Sequence, residues 1–360
     1  MVCPVCAAKQ ETEKPLRGIL EVGFEGSLED HFRIDDLLCV ESSYLPSIPV
    51  GNTPLWEPAR LRKAYGFPKL YLKDDTLNPT GSLKDRASYL VAGFARKHGL
   101  QKVVVASTGN AASSMAGVGA AAGLDITLYI PQSAPKAKLA QAYQYGAQVV
   151  RVKGSYDKAY EQSLERSNEA TILCRNTAYN PLTIDGKKTV SLEIFTQLGK
   201  SPGYVFVPAG DGVILSGVYK GFQDLHELGI IEEVPRVFAV QAEGSAAISR
   251  ALEQGDFTSP FETETIADSI SVEVPRGGYY AVKKLRQYEG ECVLVSDQEI
   301  LAAQKELSST TGLFAEPAAA ASFAGFLKVK DRIDKDAQVV LLLTGNGLKD
   351  IDAALKLFNE

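Results

Sequence analysis

Long apolar runs are missing from this chain of 360 residues. No stretch of 18 apolar residues occurs, which excludes an ordinary membrane-spanning helix. The N-terminus has no basic region followed by an apolar one, so the chain is expected to be cytoplasmic, with no membrane partner. Cysteine is scarce: the five at positions 3, 6, 39, 174 and 292 are too sparse for a disulfide framework. Cys3-Pro4-Val5-Cys6 has half the ligand spacing of a zinc ribbon, but a structural zinc needs four ligands and no second Cys-x-x-Cys follows. The pair reads as the remnant of a ribbon, and no metal site is expected. Positive charge is not concentrated either. With a net charge of -6 and no Lys/Arg stripe, nothing here neutralises a phosphate backbone, which excludes a nucleic-acid surface.

What remains is an ordinary globular composition, 45% hydrophobic and 23% charged, in a chain long enough for about two domains or one large α/β unit. Residues 1–45 show little periodicity and read as an arm. Pro46, Pro49, Gly51 and Pro54 then mark an extended entry, before Lys69-Leu70-Tyr71-Leu72-Lys73 alternates as a strand does. Ala87, Leu90, Val91 and Phe94 fall on one face of a helix predicted over 83–99. Apolar runs rich in Val, Ile and Leu follow at 102–107, 126–131, 147–152, 171–176, 204–210, 236–242, 291–296 and 338–344, mostly with helical stretches between. Runs apolar on both faces mean parallel strands covered by helices on both sides, a doubly wound α/β architecture. In such sheets the ligand sits beyond the carboxyl ends of the strands, so the residues just after each run are the informative ones.

The stretch Asn78-Pro79-Thr80-Gly81-Ser82-Leu83-Lys84-Asp85-Arg86 sets one lysine in the first turn of a helix behind a tight turn, with Ser82 as the expected cap. The positive end of a helix disfavours an extra ammonium, so a neutral, nucleophilic amine costs less there. Ser107-Thr108-Gly109-Asn110 opens an Ala/Gly-rich helix and serves either as a plain cap or as a site for a carboxylate or phosphate. Pro208-Ala209-Gly210-Asp211-Gly212-Val213-Ile214 lets a phosphate approach a helix N-terminus. A dinucleotide fingerprint is the rival reading, but Leu215 stands where its third glycine belongs. Leu343-Thr344-Gly345-Asn346-Gly347 ends the last run, and Glu316-Pro317 opens a helix whose acid reads by itself as a solvated helix-start residue.

In this order the segments resemble the pyridoxal-phosphate enzymes of the tryptophan-synthase β-subunit superfamily (fold type II), most closely the threonine synthases, over about residues 46–350. The resemblance implies two doubly wound parallel-sheet α/β domains with pyridoxal 5'-phosphate in the cleft between them. It implies a smaller domain at 78–185 and a larger one from 46–77 and 186–360. Lys84 is then the Schiff-base lysine and catalytic base, Asn110 bonds the pyridoxal 3-hydroxyl, and Thr344 faces the pyridine nitrogen. Gly210, Asp211, Gly212, Val213 and Ile214 hold the cofactor phosphate. The implied reaction converts O-phospho-L-homoserine and water to L-threonine and phosphate; the alternative is β-elimination or β-replacement on serine, threonine or a related amino acid. The partners implied are a small amino-acid substrate and a second copy of the chain, since relatives are often dimers.

Two departures from the family pattern stand out. Where threonine synthases commonly carry Gly-Asn-x-Gly, this chain has Asp211, whose carboxylate is expected to point away from the phosphate and leave the binding to backbone amides. Many relatives also place an arginine two residues past an Asn-Pro pair to grip the substrate's phosphate; here Leu182-Thr183 follow Asn180-Pro181. Lys138, Arg175, Lys187 and Lys188 are the cations that could take over. Of these, Lys138 and Lys188 are kept as substrate-binding residues, together with Ser107 and Thr108.

Overall fold

The computed structural model describes residues 1–24, 32–134, 139–258, 260 and 262–356. Its strands are β1 (Leu55–Trp56), β2 (Leu70–Asp74), β3 (Lys102–Ala106), β4 (Asp125–Pro131), β5 (Gln148–Val152), β6 (Ile172–Cys174), β7 (Tyr204–Pro208), β8 (Arg236–Ala242), β9 (Glu291–Val295) and β10 (Val339–Leu343). They form a six-stranded sheet in the order β1-β2-β10-β7-β8-β9 and a four-stranded sheet in the order β5-β4-β3-β6. Every pairing is parallel except that of β1 with β2. Each of the eight apolar runs holds one strand. β1, only two residues long, has no run to announce it and pairs Leu55 with Lys73 and Trp56 with Leu72.

The two-residue period of a strand builds a double core. Along β10, Val339, Leu341 and Leu343 join one apolar layer with Phe206, Leu72 and Phe326. Val340 and Leu342 join the other, with Val205, Val207 and Phe222. The smaller sheet repeats the arrangement, with Val103 and Val105 on one side and Val104 and Ala106 on the other. At about 25 cal/mol per Å² of apolar area buried, these layers are the main source of stability. They fix the carboxyl ends of the strands, from which the polar loops project.

The described part of the arm lies against the six-stranded sheet's side of the molecule. Leu16 N–H donates to the Arg276 carbonyl at 3.0 Å, the Lys14 ammonium donates to the Phe257 carbonyl, and Arg17 donates to the Tyr279 hydroxyl at 3.2 Å. Cys3 precedes and Cys6 lies within a four-residue helix, Pro4–Ala7, and among the described residues no group of three His, Cys, Asp or Glu could hold a metal ion. Among the same residues no helix is long and apolar enough to cross a membrane.

One buried ionic cluster joins the helix Lys84–Lys97 to the helix Leu182–Leu198. Arg86 pairs with Asp75 and with Glu193, each at 2.6 Å, and Lys73 pairs with Glu193 at 2.6 Å. Burial alone would raise Glu193, but the Arg86 guanidinium and the Lys73 ammonium hold it down to about 2. Because its folded value lies below the ordinary carboxylate value of 4.5, its contribution to stability is complete above about pH 4.5 and is lost as the pH falls through about 2. Glu193→Ala should destabilise the fold by about 3–5 kcal/mol at neutral pH, because it leaves the buried Lys73 ammonium without its carboxylate and takes one of two carboxylates from Arg86. Denaturant unfolding checks this, and the deficit should shrink towards pH 2.

Candidate active site

The lysine turn is held from both sides. Gly81 takes φ +86°, a left-handed value that favours glycine. Asp85 folds back on the turn, accepting from the Thr80 amide at 2.7 Å and the Thr80 hydroxyl at 2.5 Å. The end of β10 supplies the other side: Leu83 N–H donates to the Thr344 carbonyl, and Asn346 N–H to the Gly81 carbonyl, both at 2.9 Å. Ser82 is not the helix cap. Residue 83 is already in helical conformation and its amide is taken by Thr344. The Ser82 hydroxyl is buried with no hydrogen-bond partner in the structure.

Lys84 opens onto a cavity of about 490 Å³. Ser107, Thr108 and Asn110, at the end of β3, form one wall with Tyr156; Asp211 and Ser269 form another. Ser107 Oγ accepts from the Gly109 amide at 3.2 Å, and the Tyr156 hydroxyl donates to the Ala106 carbonyl at 3.1 Å. Asn110 Nδ2 donates to Glu316 Oε1 at 3.1 Å and Oε2 at 3.0 Å, and to Ser269 Oγ at 3.2 Å. Glu316 is therefore not a solvated helix-start residue but is 3% exposed. Its helix begins at Pro317 on the floor of the site, where burial pushes the carboxyl up against the opposing pull of the Asn110 amide and Lys84. Tyr156 and Ser269 have nothing local in the sequence to mark them, and Lys349 lies in the segment Leu343–Asp350 at the end of the last apolar run without a role to single it out. Lys349 reaches across to Thr80 O, Ser113 Oγ and Gln141 Oε1 at 3.0, 2.8 and 2.6 Å.

The glycine loop sits at the N-terminus of the helix Val213–Glu227, with Gly212 at φ +82°. Gly210 packs on the Ile270 backbone, and Val213 and Ile214 are buried. Asp211 departs from expectation: its side chain lines the cavity, and Oδ1 accepts from the Val213 amide at 3.0 Å. A free helix N-terminal N–H attracts the nearest anion, and here the nearest one is in the chain. Thr344 is 5% exposed at the end of β10, beside the lysine turn.

Of the two expected substrate cations, Lys188 does not line the cavity. Lys138 lies outside the described residues. Lys188 is fully buried between helices, its Nζ 2.7 Å from Asp185 and 3.0 Å from Asp224, with the Phe24 ring 4.1 Å away. Its charge is already compensated, so it has none to offer a ligand.

Burial lowers the Lys84 ammonium from its ordinary value; Asp211 opposes the shift, Arg175 adds to it and Glu316 again opposes it. Lowering a lysine enlarges its neutral fraction, the form that acts as nucleophile and base. Cavity, amine, glycine loop and flanking amide and hydroxyl groups together suit covalent capture of a carbonyl compound and proton transfer beside it.

Residues 47–345 match the family model described as pyridoxal-phosphate dependent enzyme. The threonine synthase of Methanocaldococcus jannaschii is 36% identical over 326 residues, 89% of this chain and 80% of that protein. The threonine synthase of Halalkalibacterium halodurans is 38% identical over 323 residues, covering 88% and 87%. Among solved structures, the processed form of threonine deaminase isoform 2 from Solanum lycopersicum superposes with a TM-score of 0.75 at 23% identity, over 90% of this chain and 92% of that one. At that identity it speaks to the fold alone.

If the glycine loop receives an anion, the Asp211 carboxylate weakens it. Asp211→Asn keeps an acceptor for the Val213 amide and removes a charge whose repulsion is about 1 kcal/mol at 4 Å in a water-like dielectric. Titration calorimetry should then show inorganic phosphate binding about fivefold tighter; unchanged affinity would mean that the loop holds no anion.

Proposed function

The chain belongs to the pyridoxal-phosphate-dependent enzymes, and within them to the threonine synthases, and from that premise we propose that it converts O-phospho-L-homoserine and water to L-threonine and phosphate. The observation that carries the proposal is the Lys84 amine, depressed by burial and opening on the cavity beside Asn110 and Asp211.

The residues present suit the cofactor. The Ser82 hydroxyl is an orphaned buried polar atom two residues from Lys84, and the 210–214 loop offers glycines at a helix N-terminus. In this reading Lys84 binds the cofactor covalently, Asn110 and Thr344 meet its ring substituents, and backbone groups of Gly210, Asp211, Gly212, Val213 and Ile214 hold its phosphate. When bound, pyridoxal phosphate supplies an electron-withdrawing ring that spreads negative charge from the carbon next to a substrate amine.

The chain's own groups do the rest. Lys84, freed by the incoming substrate amine, takes the proton from the substrate α-carbon and returns protons along the side chain as phosphate leaves and water adds. Ser107 and Thr108, on the wall beside Asn110, receive the substrate carboxylate with hydroxyls and helix N-terminal amides. Glu316 fixes the Asn110 amide, so that the carboxamide oxygen is turned towards whatever enters. Thr344 is neutral; a hydroxyl does not hold a ring nitrogen as a cation, which favours elimination and replacement over transamination. A cytoplasmic setting belongs to the same reading.

The test is phosphate release and threonine formation from O-phospho-L-homoserine, run beside ketoacid formation from serine and threonine. The wild type should release phosphate and threonine together. Lys84→Ala should lose the visible absorbance of the bound cofactor and at least about a hundredfold to ten-thousandfold in rate, with the circular dichroism unchanged. A wild type that deaminates serine or threonine efficiently and releases no phosphate would instead establish the dehydratase chemistry.

A further inference from the structure

Buried cations in this fold are paired, with two exceptions that stand close together. Arg86, buried, meets two carboxylates; Lys73 meets Glu193; Lys188 meets Asp185 and Asp224. Arg175 follows the last residue of β6 and is fully buried. Its Nε donates to Ser88 Oγ at 3.3 Å and one terminal nitrogen to Thr177 Oγ1 at 3.0 Å, while the other terminal nitrogen has no partner. Lys187 is also fully buried, and its hydrogen bond is to the Thr183 carbonyl at 3.0 Å. The Lys187 stem passes where a Cβ on Gly217 would lie, 2.5 Å from its own Cβ, so the glycine makes room for it against the helix that follows the phosphate loop.

Neither cation lines the cavity itself; both stand behind its wall, close enough to Lys84 for their charges to act on one another. Thr177, which holds Arg175, lines the cavity, and so do Tyr156 and Asp211, the two groups whose charge acts most on Arg175. Lys84 and Arg175 are the charges that most repel Lys187. Burial pulls Arg175 down to about 10, which leaves it a cation at neutral pH. Among the described residues no carboxylate comes within 4.0 Å of either group. A buried charge without a partner is costly, and burial, with Lys84 and Arg175 beside it, pulls the Lys187 ammonium well below its ordinary value; an anion bound between the two groups would restore its charge and offset that of Arg175.

We infer that Arg175 and Lys187 form an anion subsite at the Lys84 end of the cavity that receives a phosphate monoester, with the free guanidinium nitrogen and the remaining Lys187 N–H groups as donors. A dianion matches two cations, and charge-assisted bonds of this kind are the strong ones. The inference rests on the reaction proposed above in one respect: it supplies the cation that Thr183, buried and bonded to the Asn180 carbonyl at 2.7 Å, does not. Two phosphate monoesters enter that reaction, the cofactor's and the substrate's, and the experiment separates them.

Arg175→Met and Lys187→Met are compared with the wild-type chain. Stripped of cofactor, the wild type should melt higher in inorganic phosphate than in chloride at equal ionic strength, and each variant should lose that shift. The variants themselves should melt as high as the wild type or higher without phosphate, because an uncompensated charge has been removed. Each variant is then titrated with pyridoxal 5'-phosphate and with pyridoxal, followed by absorbance, and the holoenzyme with inorganic phosphate by calorimetry. A fall of about tenfold to a hundredfold in the preference for pyridoxal phosphate identifies the cofactor's phosphate. An unchanged preference with an equal loss of affinity for inorganic phosphate in the holoenzyme identifies the substrate's. Loss in neither titration overturns the inference, as does a wild type that phosphate does not stabilise or a pair of variants that melt well below it. None of these readouts needs threonine to form, so a wild type that binds phosphate but releases none from O-phospho-L-homoserine sinks the reaction and leaves the subsite standing.

Discussion

Everything at the site depends on how the turn before Lys84 is fastened to the end of β10. Two backbone hydrogen bonds, Leu83 N–H to Thr344 O and Asn346 N–H to Gly81 O, tie the start of one helix to the last strand of the six-stranded sheet. β10 lies at the middle of that sheet, between β2 and β7, with all five of its residues buried. The turn therefore inherits the rigidity of the least deformable part of the molecule. Lys349, just beyond, ties the same loop to Thr80 and to Ser113 and Gln141 on the side of the smaller sheet. A catalytic amine has to be held to a fraction of an ångström, and backbone pinning does this without using side chains the cavity needs.

The apolar layers were legible because their signal is local. Valine, isoleucine and leucine runs bounded by Gly, Asn and Asp announce a buried parallel strand wherever they occur, and all eight runs hold one. The loops at their ends were legible for the same reason: Ser107 to Asn110, Gly210 to Ile214 and Thr344 to Gly347 each carry the glycine or asparagine that a strand-to-helix turn requires. β1 escaped because two residues cannot show a period, and Ser82 was misjudged because its neighbour's amide is claimed by a residue 261 positions along the chain.

Charged side chains were legible only as candidates. Lys187 and Lys188 are adjacent, so on a helix they point about 100° apart, and one meets Asp224 while the other is buried near Lys84 and Arg175. Within 180–190 only Asp185, three residues before Lys188, bears on which is which; Asp224 arrives from the next helix and Arg175 from just past the strand before. Glu316 is the same case in reverse. Preceding a proline-started helix it looks like an exposed acid, and only the approach of Asn110, 206 positions away, makes it a buried acceptor. Partner identity is a tertiary property, and charge is the residue property that depends most on its partner.

The placement of Asp211 shows how these charges constrain one another. Its carboxylate occupies the Val213 amide at the helix terminus where the loop's chemistry invites an anion. A second anion brought there would be repelled unless positive charge is close by, and three groups near enough to feel the Asp211 charge, Lys84, Arg175 and Lys187, supply it. Burial, and after it the neighbouring cations, depresses the lysines, which enlarges the neutral fraction that Lys84 needs in order to be a base. Asp211 counteracts it enough to keep cations in a buried place at all, so acid and cations are mutually required. A chain with asparagine at this loop and no extra cations would satisfy the same balance with fewer charges.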